Sequence, residues 1–167
     1  ILYTTYGTLP TATSALYQEA ILIDKSQTIK AAYFENEKQK SAVIEQVFSV
    51  TKSTGKKISL VHQPHENYSL GGSFTLVDGM RGDMARFGRD WIGFSGKDLI
   101  ATIDLGEKQT VSKVTLDVLS SEGSWIYYPK AIEFLVSVDG KNFNSVKKVT
   151  TSEVGKMEGI VSVTIGK

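Results

Sequence analysis

Wherever the apolar positions of this chain recur regularly, they recur with period two. Ile29, Ala31 and Tyr33 alternate with Lys30, Ala32 and Phe34, while Ile44, Phe48 and Val50 take the parity opposite Val43, Glu45 and Val47. Leu99, Ala101, Ile103 and Leu105 share one face of a further run. Val114, Leu116 and Val118 alternate with Thr115 and Asp117, and Ile132, Phe134, Val136 and Val138 alternate with Glu133, Leu135 and Ser137. Val161, Val163 and Ile165 make a last run. Successive side chains of a strand point to opposite faces, so each run predicts a strand with one face toward a core. The one helical competitor is a short turn near Asp83 to Phe87. Short strands joined by Gly, Asp, Ser and Asn turns predict an all-β chain, sandwich or jelly roll in both of its parts.

The division into parts comes from the polar run TKSTGKK, which has no apolar periodicity and reads as a linker over residues 51–57. It separates a small unit, 1–50, from a larger one, 58–167. About 50 residues is near the lower limit for an independent core, so the first unit is expected to be partial or to lean on its neighbour. Asp139-Gly140 predicts a hairpin turn, because both residues tolerate positive φ. The stretch from Leu76 to Gly106 stands apart. Gly79, Gly82, Gly88, Gly93 and Gly96 punctuate a loop carrying Asp78, Asp83, Arg86 and Arg89, and the Leu99–Leu105 strand frames it.

Charge and composition narrow the function classes. Nineteen Lys and Arg are spread among 18 Asp and Glu for a net charge of +1, which leaves no electrostatic case for nucleic acid. The absence of cysteine excludes a disulfide framework, a thiolate nucleophile and a cysteine-ligated metal. No apolar run approaches the ~20 residues of a membrane helix, so no membrane-spanning segment is expected. The opening ILYTTYG reads as a strand end rather than a signal peptide, and the expectation is a piece of a longer protein. Catalysis would need paired carboxylates or a nucleophile with its base. Asp104 and Asp139 belong to strand-end turns and Glu133 alternates outward, while His62 and His65 in HQPHE flank Pro64 without a third ligand. The chain is expected not to be an enzyme.

Two motif sets carry resemblances. Tyr3-Thr4-Thr5-Tyr6-Gly7-Thr8-Leu9-Pro10-Thr11, then Ser14-Ala15-Leu16-Tyr17, then Thr28-Ile29-Lys30-Ala31 resemble the small C-terminal β-sandwich domain of chitobiases and β-hexosaminidases. Tyr6 stands where that family has Asp, which removes a turn-capping carboxylate. Gly71-Gly72, Leu76-Val77-Asp78-Gly79, Trp91-Ile92-Gly93-Phe94, Thr102-Ile103-Asp104-Leu105-Gly106 and Pro129 leading into Val136-Ser137-Val138-Asp139-Gly140 and Phe143 form the second set. In that order they resemble a discoidin domain, the coagulation factor type C fold of bacterial family 32 carbohydrate-binding modules. The pairing resembles the C-terminal region of secreted bacterial glycoside hydrolases, above all family 20 β-hexosaminidases, with family 29 fucosidases next. It implies a secreted, periplasmic or cell-surface protein, and a closing strand of the module that has no counterpart after Lys167.

The resemblance also implies sites. A loop after the L-x-D-G turn holds a structural calcium in such modules, which makes Asp78 and Asp83 the carboxylate ligands for a hard, oxygen-seeking cation. The alternative is that Asp78 caps its own turn. Sugar recognition calls for an aromatic face with planar polar groups beside it. The segment SSEGSWIYY supplies Glu122, Trp125, Tyr127 and Tyr128, and the resemblance places Arg86 and Arg89 on the same rim. Alternation turns either Tyr127 or Tyr128 inward, and Trp91, in the W-x-G-F element, is assigned to the core. Galactose-binding relatives use an Arg and an Asn in the loop that here contains neither, so the sugar stays open. The expected function is a non-catalytic carbohydrate-binding accessory region that holds a secreted glycosidase, expected to be a β-N-acetylhexosaminidase, at its glycan. Its expected partners are that glycan and the parent's catalytic domain. The alternatives are a structural spacer packed on the catalytic domain, and protein or lipid adhesion through exposed apolar spikes such as Met80 and Met84.

Overall fold

The computed structural model describes residues 1–150 and 159–166. The first unit is built on a four-stranded antiparallel sheet. Its strands are β1 (Leu2–Thr4), β2 (Ala15–Leu16), β3 (Gln27–Ala32) and, after the small hairpin of β4 (Phe34–Glu35) and β5 (Lys38–Gln39), β6 (Ile44–Phe48), in the order β2-β1-β3-β6. Ala32 is buried at the end of β3, opposite Leu2, and the directly opposed Lys30 and Glu45 close a cross-strand ion pair of 2.9 Å. Gly7 takes a positive φ of 74°, and its N–H donates to Thr28 O beside the exposed Tyr6.

The larger unit consists of antiparallel pairs. β7 (Lys57–Leu60) pairs with β8 (Ala101–Asp104), β9 (Lys113–Ser120) with β12 (Gly159–Gly166), and β10 (Ala131–Val136) with β11 (Asn144–Thr150). The β9–β12 register runs unbroken from Gly159 opposite Ser120 to Gly166 opposite Lys113. Ile132 is the centre of the core, with Leu116, Val118, Tyr128, Phe134, Val149 and Val161 packed on it. Strands dominate and helix is confined to single turns, the all-β architecture that the period-two pattern predicts.

The β7–β8 ladder positions the candidate residues. Because Leu60 pairs with Ala101, residues 61–100 form one excursion whose two ends are held side by side. The excursion is a series of 3-10 turns at Glu66–Tyr68, Gly72–Leu76 and Met84–Arg86, the last running into the one-turn helix α1 (Phe87–Asp90). The expected short turn near Asp83 to Phe87 is therefore present and extends to Asp90. His65 caps the first turn, its Nδ1 accepting from Asn67 N at 3.3 Å.

Several strand faces differ from the alternation. A register shift between Phe134 and Leu135 leaves Val146 of β11 unpaired, and Ile132 and Phe134 face the core while Val136 and Val138 are exposed. The Leu99–Leu105 strand begins only at Ala101, and its Ile103 is exposed. Ile44 is exposed at the start of β6 although it shares the parity of the half-buried Gln46 and Phe48. At the β10–β11 hairpin Gly140 alone takes positive φ, 69°. Asp139 instead folds the loop by accepting from Lys141 N at 2.9 Å and from Asn142 N at 2.8 Å. The side-chain faces of Val163 and Ile165 and the chain end at Lys167 lie outside the described residues.

The polar run expected as a linker is a folded turn laid against the larger unit. Thr54 N–H donates to Thr51 O, Gly55 N–H to Val77 O at 2.7 Å and Ser49 N–H to Gly79 O at 2.7 Å, while Phe48 bridges to Met80. Val77, only 2% exposed, sits beneath this junction. Gly79 is obligatory there: at φ +75° its missing Cβ would stand 3.1 Å from Thr54 Cγ2 and 3.3 Å from Ser49 O.

Candidate functional site

The loop from Asp78 to Trp91 is held by its own carboxylates. Asp78 Oδ1 accepts from Met80 N at 2.8 Å, an Asx turn around Gly79. Burial raises the Asp78 carboxyl above its ordinary range, and the charge of nearby Asp90 adds to this against the backbone hydrogen bonds. Asp83 caps the following 3-10 turn, its Oδ1 accepting from Ala85 N at 2.9 Å. Trp91 closes the loop from below. Its Nε1 donates to Asp83 O at 3.2 Å, and the indole lies so close to Gly82 that a Cβ there would fall 2.6 Å from Trp91 Cζ2. Trp91 is half-buried under the loop rather than in the core to which the motif assigned it.

Both arginines converge on Asp90. Arg86 Nε lies 3.0 Å from Asp90 Oδ2 and 3.5 Å from Asp83 Oδ2, and Arg89 Nε 2.9 Å from Asp90 Oδ1. The Arg86 Nε atom is buried and off the line of a hydrogen bond, so its attraction to Asp90 is that of an ion pair alone. The shared partner nevertheless leaves the two arginines on different concavities. Arg86 lines a groove of about 580 Å³ between β6 and the Arg81–Met84 segment, together with Val47 and Ile160. Arg89 lines a separate cleft of about 320 Å³ beside Phe74 and Asp78. Arg81 ties this loop to the β9–β12 ladder, its Nε 3.2 Å from Asp117 Oδ2 and its Nη2 donating to Ser162 Oγ at 3.0 Å.

The two expected calcium carboxylates each bond within their own turn. Asp78 Oδ1 accepts from Met80 N, Asp83 Oδ1 accepts from Ala85 N and Asp83 Oδ2 lies 3.5 Å from Arg86 Nε, and among the described residues three or more His, Asp or Glu side chains nowhere group as a cation cage.

The loop after β9 presents aromatic rings. Ser121 and Ile126 exchange both backbone hydrogen bonds, at 2.9 and 3.1 Å, and the 3-10 turn Glu122–Ser124 fills the space between them. Trp125 ends that turn in the left-handed region, φ 59° and ψ 28°, with its N–H on Glu122 O. A bulky residue in that conformation costs of order 1–3 kcal/mol, which the Ser121–Ile126 closure offsets. The outcome is an indole 83% exposed, with Tyr127 57% exposed beside it in sequence. Tyr128 is the inward one of the pair: its ring packs on Ile132 and its hydroxyl donates to Gly159 O at 2.9 Å. Burial also raises its phenol. Tyr128 therefore supports the loop from within and leaves the outer face to Trp125 and Tyr127.

Asp90, Phe74 and Arg81 escaped the sequence reading. Asp90 was accessible from spacing, since it stands four residues after Arg86 on one helical turn. Phe74 lies in a 3-10 turn without periodicity, and the Arg81–Asp117 pair joins distant segments, so neither leaves a local signal.

Residues 50–166 match the family model described as F5/8 type C domain, and residues 1–48 match the one described as Fn3 associated. No curated protein matches the chain. The match over residues 1–48 names an Fn3-associated segment where the motifs resembled a hexosaminidase C-terminal domain, so a glycoside hydrolase parent rests on the resemblance alone.

Proposed function

Since the chain belongs to the F5/8 type C domain family, whose members are typically non-catalytic and commonly carbohydrate-binding modules, we propose that it binds glycans through the Ser121–Tyr128 loop as an accessory region of a secreted glycoside hydrolase. The observation that carries this reading is Trp125, a large aromatic held in a left-handed backbone and left bare to solvent. Its indole face, with Tyr127 beside it, supplies the apolar platform on which the C–H face of a pyranose stacks. Such contacts are weak singly, and their use is to keep an attached active site at high effective concentration over its substrate.

A glycan array probed with the whole chain tests this. We expect binding to hexosamine-, galactose- or fucose-bearing glycans that Trp125→Ala weakens roughly tenfold or more, the equivalent of about 1.4 kcal/mol. Silence across the array, or binding indifferent to Trp125→Ala, would refute the assignment of the loop.

A further inference from the structure

The Ser121–Tyr128 loop offers a surface without an enclosure. Trp125 and Tyr127, 83% and 57% exposed, stand on either side of the half-buried Ile126, whose backbone is tied to Ser121. A side chain that lines a pocket loses most of its contact with water, so an indole this bare projects clear of its surroundings. The loop raises no wall at Gly123 either, where an added Cβ would meet nothing within 4 Å beyond its chain neighbours. Neither the groove lined by Arg86 nor the cleft lined by Arg89 takes a residue from this loop.

The loop is also poor in groups that read hydroxyls. The backbone N–H groups of Ser121, Ser124, Trp125 and Ile126 all donate within it, at 2.9 to 3.1 Å. From Ser120 to Tyr128 the one charged side chain is Glu122, and Arg, Lys, His, Asn and Gln are all missing. Holding a single terminal sugar takes a concavity that covers most of it and several directed polar contacts. This loop instead supplies two aromatic faces on a backbone already ordered by its own hydrogen bonds, so little conformational freedom is lost on binding.

Those properties select a ligand that is itself flat and repeated. In a β-1,4-linked chain of pyranoses with equatorial substituents, the axial C–H bonds make both broad faces apolar, and the rings follow one another as a ribbon. Such a ribbon meets Trp125 with one ring and Tyr127 with another, and the second contact forms at the effective concentration set by the first. Ribbons packed in a solid present that face already ordered, whereas a free sugar brings one ring. Resting on the reading of this loop as a glycan site, we infer that its ligand is the flat face of an insoluble, neutral β-1,4-linked polysaccharide of glucose or N-acetylglucosamine, engaged along the chain and not at its end.

The test is co-sedimentation of the whole chain with chitin, microcrystalline cellulose and starch granules, beside a titration with the methyl glycosides of glucose and N-acetylglucosamine. Saturable depletion by chitin or cellulose is expected, weakened about tenfold or more by Trp125→Ala and less by Tyr127→Ala, and not reversed by salt or by either methyl glycoside. Trp125→Phe keeps an aromatic face on the same backbone and is expected to retain binding, which separates lost stacking from a disturbed loop. Retention within twofold after Trp125→Ala, equal retention on starch, or release by a methyl glycoside would overturn the inference. If the methyl glycosides bind through Trp125 while both solids are ignored, the loop remains a glycan site and the polymer assignment alone falls. If neither form is bound, both readings fall.

Discussion

Asp78 is a carboxylate whose fold works against its charge. Burial, reinforced by Asp90, raises its pKa above the ordinary 3.8, so the native chain binds this proton more readily than the unfolded one does. Its ionisation thus costs stability at neutral pH. The cost is relieved as pH falls through the raised folded value and is gone below the unfolded one. Asp78→Asn keeps an acceptor for Met80 N–H and removes the charge. It should raise the melting temperature at pH 7, with the advantage shrinking to nothing below about pH 4; melts across that range will show the trend or its absence. Asp139 has the opposite sense. Asn142 N–H, then Lys141 N–H, then the Asn142 and Ser137 side chains hold its carboxyl well below the usual range, so the turn keeps its contribution down to strongly acid pH. At this scale the sequence was informative about type and poor about partners. An Asp before Gly predicts a turn. It does not say that one such Asp will sit beside a second carboxylate folded back from α1, as Asp78 does with Asp90.

Among the elements, the most legible were those with intact registers. The β9–β12 pairing register runs unbroken for eight residues, and β9 alternates in burial from Lys113 to Leu116. The β10–β11 register shifts once, where Val146 of β11 is left unpaired between Lys147 opposite Phe134 and Ser145 opposite Leu135, and no residue type marks that shift. The loop after β9 was legible in composition, with its aromatic run, but the division of labour between its tyrosines depended on Gly159, which comes from a strand 31 residues away. Tyr128→Phe tests that division. Losing the hydroxyl bond to Gly159 O should cost about 1 kcal/mol by denaturant titration, and glycan binding by Trp125 should be unchanged. A loss of binding equal to that of Trp125→Ala would place Tyr128 on the outer face after all.

For the whole molecule, the accessible surface of 11895 Å² exceeds the about 8,100 Å² expected of a compact monomer of 18.3 kDa. Apolar burial is concentrated around Ile132, Ala32 and Val77, and the last of these lies under the junction. That makes the Thr51–Gly55 turn a stabilising contact for both units. Replacing it with a flexible Gly-Ser segment of equal length should lower the melting temperature and expose the segment to limited proteolysis, whereas an unaltered melt would mean that the units stand independently. A polar, aperiodic run looks the same in sequence whether it floats or folds, since its bonds here run from backbone to backbone.

The chain has two tryptophans, and the fold treats them oppositely. Trp91 is pinned over Gly82 with its nitrogen bonded, and Trp125 stands in water. Intrinsic emission should therefore resolve into a blue, shielded component and a red one. Acrylamide should quench the red component far more steeply, and Trp125→Phe should remove it. A saccharide arriving at the loop would then alter the red emission and leave the blue component unmoved. The protein thus carries its own optical readout of whether a sugar has reached that loop.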